Sequence, residues 1–322
     1  MGETGKRKLR STGKKWFALG LMLALSVPSP SPAADTVGMI LPRDCAVSAD
    51  AKDKFVQMLF ARDIPSGNVE VFVQRPAPDR VSRLNSARKF LSFGVAAIVI
   101  WGGTAVEEIL RESGRTPVVF VGVYNPVKQG IVKDLRAPGK NTTGVASTTS
   151  LSFLLDNILE VVDDGVLGVV YHSDITDSVV QFEELTSLAG AKGLKILSVD
   201  VLGSDPAGIS EVLAPAPFLY LAQGCYVEDG SFVNMEKLGK PAATQTPGIT
   251  GGGVVFSLAP DIDEMLNEAA GITARILKGE KAGDIEVVRM KKIDFVINMG
   301  EARAMELKVP FAVLNRATKV IK

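Results

Sequence analysis

The chain has 322 residues, with 36 basic and 36 acidic side chains, one histidine and two cysteines. Such a length suggests about two domains, and an apolar content of 46% excludes a disordered or collagen-like chain. So little histidine and cysteine excludes a disulfide scaffold and the zinc patterns built from those residues, and a zero net charge gives no basic face for nucleic acid.

The neutrality hides an uneven distribution. Lys6, Arg7, Lys8, Arg10, Lys14 and Lys15 precede an uncharged apolar run from Trp16 to Val27, followed by Pro28 to Ala34 with Ser31 and Ala33 as a small-x-small end. This order describes a secretory signal peptide over residues 1–33, cleaved near Ala33. The apolar run would span about 18 Å as a helix, too short for a bilayer core of about 30 Å. Removing residues 1–33 takes six basic and one acidic residue and leaves a net charge of −5. The expected location is periplasmic or secreted.

Elements then follow in alternation. Thr36–Leu41 reads as a strand and Ser48–Ala61 as a helix with Ser48 as its cap. Val69–Val73 is a strand, Pro78–Phe93 a helix, and Val95–Trp101 an uninterrupted apolar run of the kind buried on both faces of a parallel sheet. Thr104–Ser113 is a helix and Pro117–Val123 another buried strand. The pattern resumes with Ser150–Val162 as a helix, Leu167–Tyr171 as a strand, Val179–Lys192 as a helix, Lys195–Val199 as a strand, Pro206–Leu213 as a helix and Pro217–Ala222 as a strand. Gly253–Leu258 is a strand, and Ile262–Lys278 is a long helix ended by Gly279. The expected fold class is α/β, with two doubly wound parallel-sheet lobes joined at a hinge. Lobe 1 takes residues 34–147, rejoined by about 258–290. Lobe 2 takes 148–257 with part of 291–322.

In such sheets ligands bind beyond the carboxyl ends of the strands. The corresponding loops are Pro42-Arg43-Asp44-Cys45, Gly102-Gly103-Thr104, Tyr124-Asn125-Pro126, His172-Ser173-Asp174, Gln223-Gly224-Cys225 and Gln245-Thr246. Gly102 and Gly103 let a ligand approach the backbone, and the following helix start offers N–H groups suited to a carboxylate or phosphate. A plain strand-to-helix turn capped by Thr104 fits the same residues. Cys45 and Cys225 follow strands in different lobes and are either a bridge across the cleft or two unpaired thiols. His172 is the sole imidazole, and no G-x-S-x-G elbow surrounds a serine. An enzymatic reading rests on that histidine and a pocket alone, so no catalytic residue, metal or cofactor is assigned.

Val118 to Val127, followed by Gly130-Ile131-Val132 and Leu135 to Val145 with its Pro138-Gly139-Lys140-Asn141-Thr142-Thr143-Gly144-Val145 stretch, resembles the central signature of ABC-transporter substrate-binding proteins of the tryptophan/tyrosine-type family. Ala274 to Lys281, Val296-Ile297-Asn298, Val309-Pro310 and Ala317 to Ile321 resemble that family's ending. The resemblance implies the type I periplasmic-binding fold and an exported, monomeric protein that closes on a small ligand, such as an amino acid or other small carboxylate, and delivers it to an ABC permease in the membrane. A sensing module of the same fold, feeding a signalling receptor, is the alternative. Three loops depart from the family pattern: Asn125 stands where the family usually has Asp, Gly102-Gly103-Thr104-Ala105 replaces Gly-Thr-Pro-Ala, and Gln223-Gly224-Cys225 replaces an Asp-Asn-Thr type. The expected ligand contacts are Gly102, Gly103 and Thr104 for a carboxylate, Tyr124 for stacking or a hydroxyl contact, and Asn125 and Gln223 for amide hydrogen bonds. Arg43, Asp44, Ser147, Thr148, Ser173 and Thr246 are placed by loop position. Only the Gly-Thr and Tyr-Asn-Pro positions also gain from the motif match.

Overall fold

The computed structural model describes residues 1–2, 35–43, 47, 50–65, 67–77, 79–162, 165–224 and 239–322. Asp44, Cys45, Ser48 and Cys225 lie outside the described residues, as does nearly all of the expected signal peptide. Chain contacts separate Met1–Ala33 from Ala34–Lys322, and the architecture below is that of the second unit.

The chain runs β1 (Asp35–Ile40), α1 (Ala51–Phe60), β2 (Val69–Gln74), α2 (Arg80–Ser92), β3 (Ala97–Trp101), α3 (Gly103–Leu110), β4 (Val118–Val123) and β5 (Thr142–Ala146). It continues through α4 (Leu151–Leu159), β6 (Val166–Tyr171), α5 (Thr176–Ala191), β7 (Lys195–Asp200), α6 (Pro206–Leu213), β8 (Leu219–Leu221) and β9 (Ala242–Thr244). Last come β10 (Val254–Ala259), α7 (Ile262–Leu277), a 3-10 turn (Ala282–Asp284), β11 (Val288–Arg289), β12 (Asp294–Asn298), α8 (Met299–Ala304), α9 (Phe311–Leu314) and β13 (Lys319–Ile321).

These strands form two sheets. A six-stranded sheet has the order β11-β5-β4-β3-β1-β2, and a seven-stranded sheet the order β13-β12-β10-β9-β8-β6-β7. Every pairing is parallel except that of β10 with β12. Parallel sheets need apolar cover on both faces, and the sequence supplies it: β4 and β10 are buried along their whole length. One core of the first lobe joins Phe55 and Leu59 of α1 to Met265, Leu266, Ala269 and Ala270 of α7. A second lies on the other face, around Phe90, Val106 and Phe120. The second lobe likewise has a core around Leu154, Leu185, Phe218 and Phe256 and another around Leu213 and Leu219.

The chain passes between sheets after β5, after β10 and after β11. Thr149, in the first of these crossovers, is tied to the strands that lead to the second: its hydroxyl donates to the Leu258 carbonyl of β10 (3.3 Å) and accepts from Gln245 Nε2 (2.6 Å), just after β9. Crossovers of this kind let two packed bodies rotate about short strand-like segments.

Several elements differ from the sequence expectation. α1 begins at Ala51 after Asp50 rather than at Ser48, and the sequence pattern does not assign β9, β11 to β13, α8 or α9. Two further differences have clear physical reasons. β5 has a polar face that sequence periodicity does not flag, because Thr142 Oγ1 bonds the Val118 carbonyl (3.1 Å) and Thr143 Oγ1 the Ile285 carbonyl (2.7 Å). α5 begins at Thr176 rather than Val179; its cap residue is Ile175, which makes no side-chain cap bond, so the usual start signal is missing.

Candidate ligand-binding cleft

The loops at the carboxyl ends of the two sheets meet, and hydrogen bonds join them. Gly102 caps α3 with φ +84°, a conformation glycine adopts at no Cβ cost. It points the Gly103 N–H at the second lobe, where that N–H donates to Asp177 Oδ2 (2.7 Å). Asp177 Oδ1 accepts from the Tyr124 N–H (2.7 Å) and from Gln129 Nε2 (2.8 Å). Asp177 comes from the first turn of α5 and is only 3% exposed. A carboxylate of the second lobe therefore sits at the positive end of a helix in the first. Burial is the largest influence on its acidity and pushes its pKa up; the N–H groups of Tyr124 and Gly103 and the Gln129 amide pull part of the way back. Beside it, Thr104 Oγ1 accepts the Thr176 N–H (2.8 Å).

Gln223 makes the second crossing. Its Nε2 donates to the Gly122 carbonyl (2.8 Å), and its Oε1 accepts from the Ser147 hydroxyl (3.3 Å) and from Gln181 Nε2 (3.3 Å). The single Ser147 proton is shared between Gln223 Oε1 and the nearer Gly122 carbonyl (2.9 Å). Below it lies a fully buried network. The Gln181 Oε1 accepts from the Gln223 N–H (2.6 Å) and the Tyr220 hydroxyl (2.8 Å), which also reaches Gln245 Oε1 (3.2 Å).

The remaining expected positions are distributed unevenly. Asn125 has φ +49°, a left-handed conformation that asparagine tolerates better than most residues. Its Oδ1 accepts the Lys128 N–H (3.2 Å), and its N–H donates to Thr148 Oγ1 (2.8 Å). The Tyr124 ring is fully buried. Its hydroxyl and Gln129 Oε1 are buried without a hydrogen-bond partner among the described residues. Burial, then the nearby Glu184 carboxylate, raises the Tyr124 pKa and keeps its proton on. Thr246 is buried against Thr244 Oγ1 (3.1 Å) and the Gly224 N–H (3.4 Å). Ser173 and Arg43 stand apart from this cluster: the Ser173 N–H donates to Asp200 Oδ1 (3.1 Å) and Arg43 Nη2 to the Arg75 carbonyl (3.3 Å).

His172 holds a turn, accepting the Asp174 N–H at Nδ1 (3.2 Å), and burial lowers its pKa. Among the described residues no group of His, Cys, Asp and Glu is placed to hold a metal.

Asp177, Gln129 and Gln181 are central here, and sequence reasoning did not select them; Gln245 it placed in a strand-end loop without a role. An acid in the first turn of a helix that follows a strand end is the signal that points to Asp177. Reading α5 as starting at Val179 hid it.

The comparisons with known proteins bear on this arrangement. A family model for "ABC transporter substrate binding protein" matches residues 55–321. The chain belongs to that family. A "Tyrosine-binding protein" of Clostridioides difficile is 21% identical to this substrate-binding protein over 267 residues, covering 80% of this chain and 77% of the relative. A conserved domain protein from Vibrio cholerae shares the fold with a TM-score of 0.78 at 23% identity, covering 89% of this chain and 99% of that one. An ABC domain from Streptococcus pneumoniae, solved in complex with L-Trp, gives a TM-score of 0.77 at 18% identity, covering 90% of this chain and all of that one. The substrate-binding protein thus has the two-lobed type I periplasmic-binding fold, and its family binds transport ligands rather than catalysing reactions. No helix among the described residues is long and apolar enough to cross a membrane.

Proposed function

We propose that this substrate-binding protein is exported, that residues 1–33 are removed near Ala33, and that its two lobes close on one small molecule of amino-acid size and present it to an ABC permease. The observation that carries the reading is the pairing of strand-end loops from two separate sheets through buried polar side chains, Asp177 with Gly103 and Tyr124, and Gln223 with Gly122. A site divided between two bodies rewards a ligand that binds the closed form better than the open one, which is what shifts the equilibrium toward closure. Relatives that bind tyrosine and tryptophan support a ligand of that size. The proposed wall is Gly102, Gly103, Thr104, Tyr124, Asn125 and Gln223, with Ser147 and Thr148 toward the first crossover and Thr246 beyond the end of β9.

A thermal-shift screen of the purified protein against the twenty amino acids, aromatic amines and aromatic acids tests the reading. A true ligand at about 100 times its dissociation constant adds about 2.7 kcal/mol. The function also predicts that small-angle scattering shows contraction with the same compound. Stabilisation without contraction would argue against closure as the mode of binding.

A further inference from the structure

The start of α3 is where the sequence places a ligand carboxylate, and in the structure that place is taken by the chain's own. The three donors that converge there, the Gly103 N–H, the Tyr124 N–H and Gln129 Nε2, all bond Asp177. The surroundings are shaped to this packing: a Cβ on Gly103 would lie 2.0 Å from Gln129 Oε1 and 3.0 Å from Asp177 Oδ2. Among the described residues no ion pair involves Asp177. The polar atoms left over are Gln129 Oε1, an acceptor, and the Tyr124 hydroxyl, with the Glu184 carboxylate nearby.

We propose that Asp177 is a specificity determinant of the cleft: as a tethered carboxylate it occupies the anion-binding start of α3 and turns ligand carboxylates away from that end. The inference rests on the cleft being the ligand site and adds a polarity to it. A free carboxylate arriving there finds no vacant donor and meets a like charge in a buried setting, where repulsion is weakly screened. With the three donors taken, that end offers a ligand only acceptors, the Asp177 carboxylate among them, and so favours an N–H-bearing group. An amino acid would enter with its ammonium group toward α3 and its carboxylate toward the opposite wall.

Chemical rescue reads this occupancy without knowledge of the ligand. Asp177→Ala removes only the carboxylate, and formate is that group as a free ion. Melting temperatures of the wild type and Asp177→Ala are compared in sodium formate and in sodium chloride at equal ionic strength. The expected result is a destabilised variant that formate, but not chloride, raises by about 2 °C or more, with a wild type on which the two salts act alike. Formate acting equally on both proteins, or on neither, overturns the proposal. Should Asp177→Ala not fold, the near-isosteric Asp177→Asn replaces it, read by the amide resonances of Gly103 and Tyr124. These are expected to move in the variant and to ignore formate in the wild type; unmoved resonances overturn the proposal. An acid that served only α5 would leave no formate site behind. A screen that finds no ligand while rescue succeeds would fault the solute-binding reading, and with it the specificity role, while leaving Asp177 as the occupant of the start of α3; a ligand found while rescue fails would fault the proposal alone.

Discussion

Replacing Gln223 with leucine keeps the size of the side chain and removes the amide that spans the two lobes. Two of its bonds cross between them, Nε2 to the Gly122 carbonyl at 2.8 Å and Oε1 from the Ser147 hydroxyl at 3.3 Å. The Gly122 carbonyl keeps the Ser147 hydroxyl as a donor at 2.9 Å, so no acceptor is orphaned. Because the single Ser147 proton already lies nearer the Gly122 carbonyl, the net cost to closure is that of one good hydrogen bond, about 0.5–1.5 kcal/mol. That corresponds to a drop of roughly 2–13-fold in the ratio of closed to open forms, and a similar loss of affinity for any ligand held only by a sparsely populated closed form. Gln181 Nε2 also loses Gln223 Oε1, but both belong to the second lobe, so that loss lowers folding stability in both forms and leaves the closing equilibrium alone. Spin labels on Val81→Cys and Val212→Cys, both exposed and on helices of different lobes, report the interlobe distance by electron double resonance once Cys45 and Cys225 are serine. The Gln223→Leu variant is expected to populate a longer distance without ligand. A distance distribution and a ligand affinity both equal to those of the parent would refute the reasoning.

Three further outcomes follow from the geometry. Gly38→Ala puts a Cβ 2.6 Å from the fully buried Phe90 ring, and urea titration should show a loss of about 1–3 kcal/mol; an unchanged midpoint would mean that the α2–β1 contact is looser than described. Asp205 caps α6 by accepting the Ala207 and Gly208 N–H groups at 2.9 and 3.0 Å, so Asp205→Ala should cost about 1 kcal/mol by the same titration, with ligand binding preserved. Burial first of all raises the folded pKa of Asp177. A group raised in this way contributes stability that is fully present below its unfolded pKa and is lost as pH rises through its folded value. Asp177→Asn does not titrate there, so its stability profile should be flatter than the parent's above about pH 4. Parallel urea profiles from acid to neutral pH would contradict that.

Particular residues explain how far the sequence could be read. β3 and β4 announce themselves, because strands covered on both faces must be apolar throughout, and Ser150, which caps α4 by accepting the Phe153 N–H at 3.1 Å, marks a boundary that local chemistry sets. β9 does not announce itself: Ala242–Thr244 is short and small, and it is a strand because β8 and β10 pair with it on either side. The loops that form the cleft are legible as strand ends. The partners that close it are not. Asp177 meets Gly103 across 74 residues of chain and Gln223 meets Gly122 across 101, and no local pattern encodes such pairings. Gln181 is a further case. A glutamine on a helix is ordinarily read as facing solvent, yet here it is fully buried because the Tyr220 hydroxyl and the Gln223 amide satisfy it.

The central claim is that a small molecule binds between the lobes and closes them. The most direct measurement is the melting temperature of the purified protein across a panel of amino acids, aromatic amines and aromatic acids, followed by scattering on any hit. For a protein of this size a saturating ligand should raise the melting temperature by about 4 °C and reduce the radius of gyration. A panel without a single stabilising compound, or a hit that leaves the radius unchanged, would contradict the account.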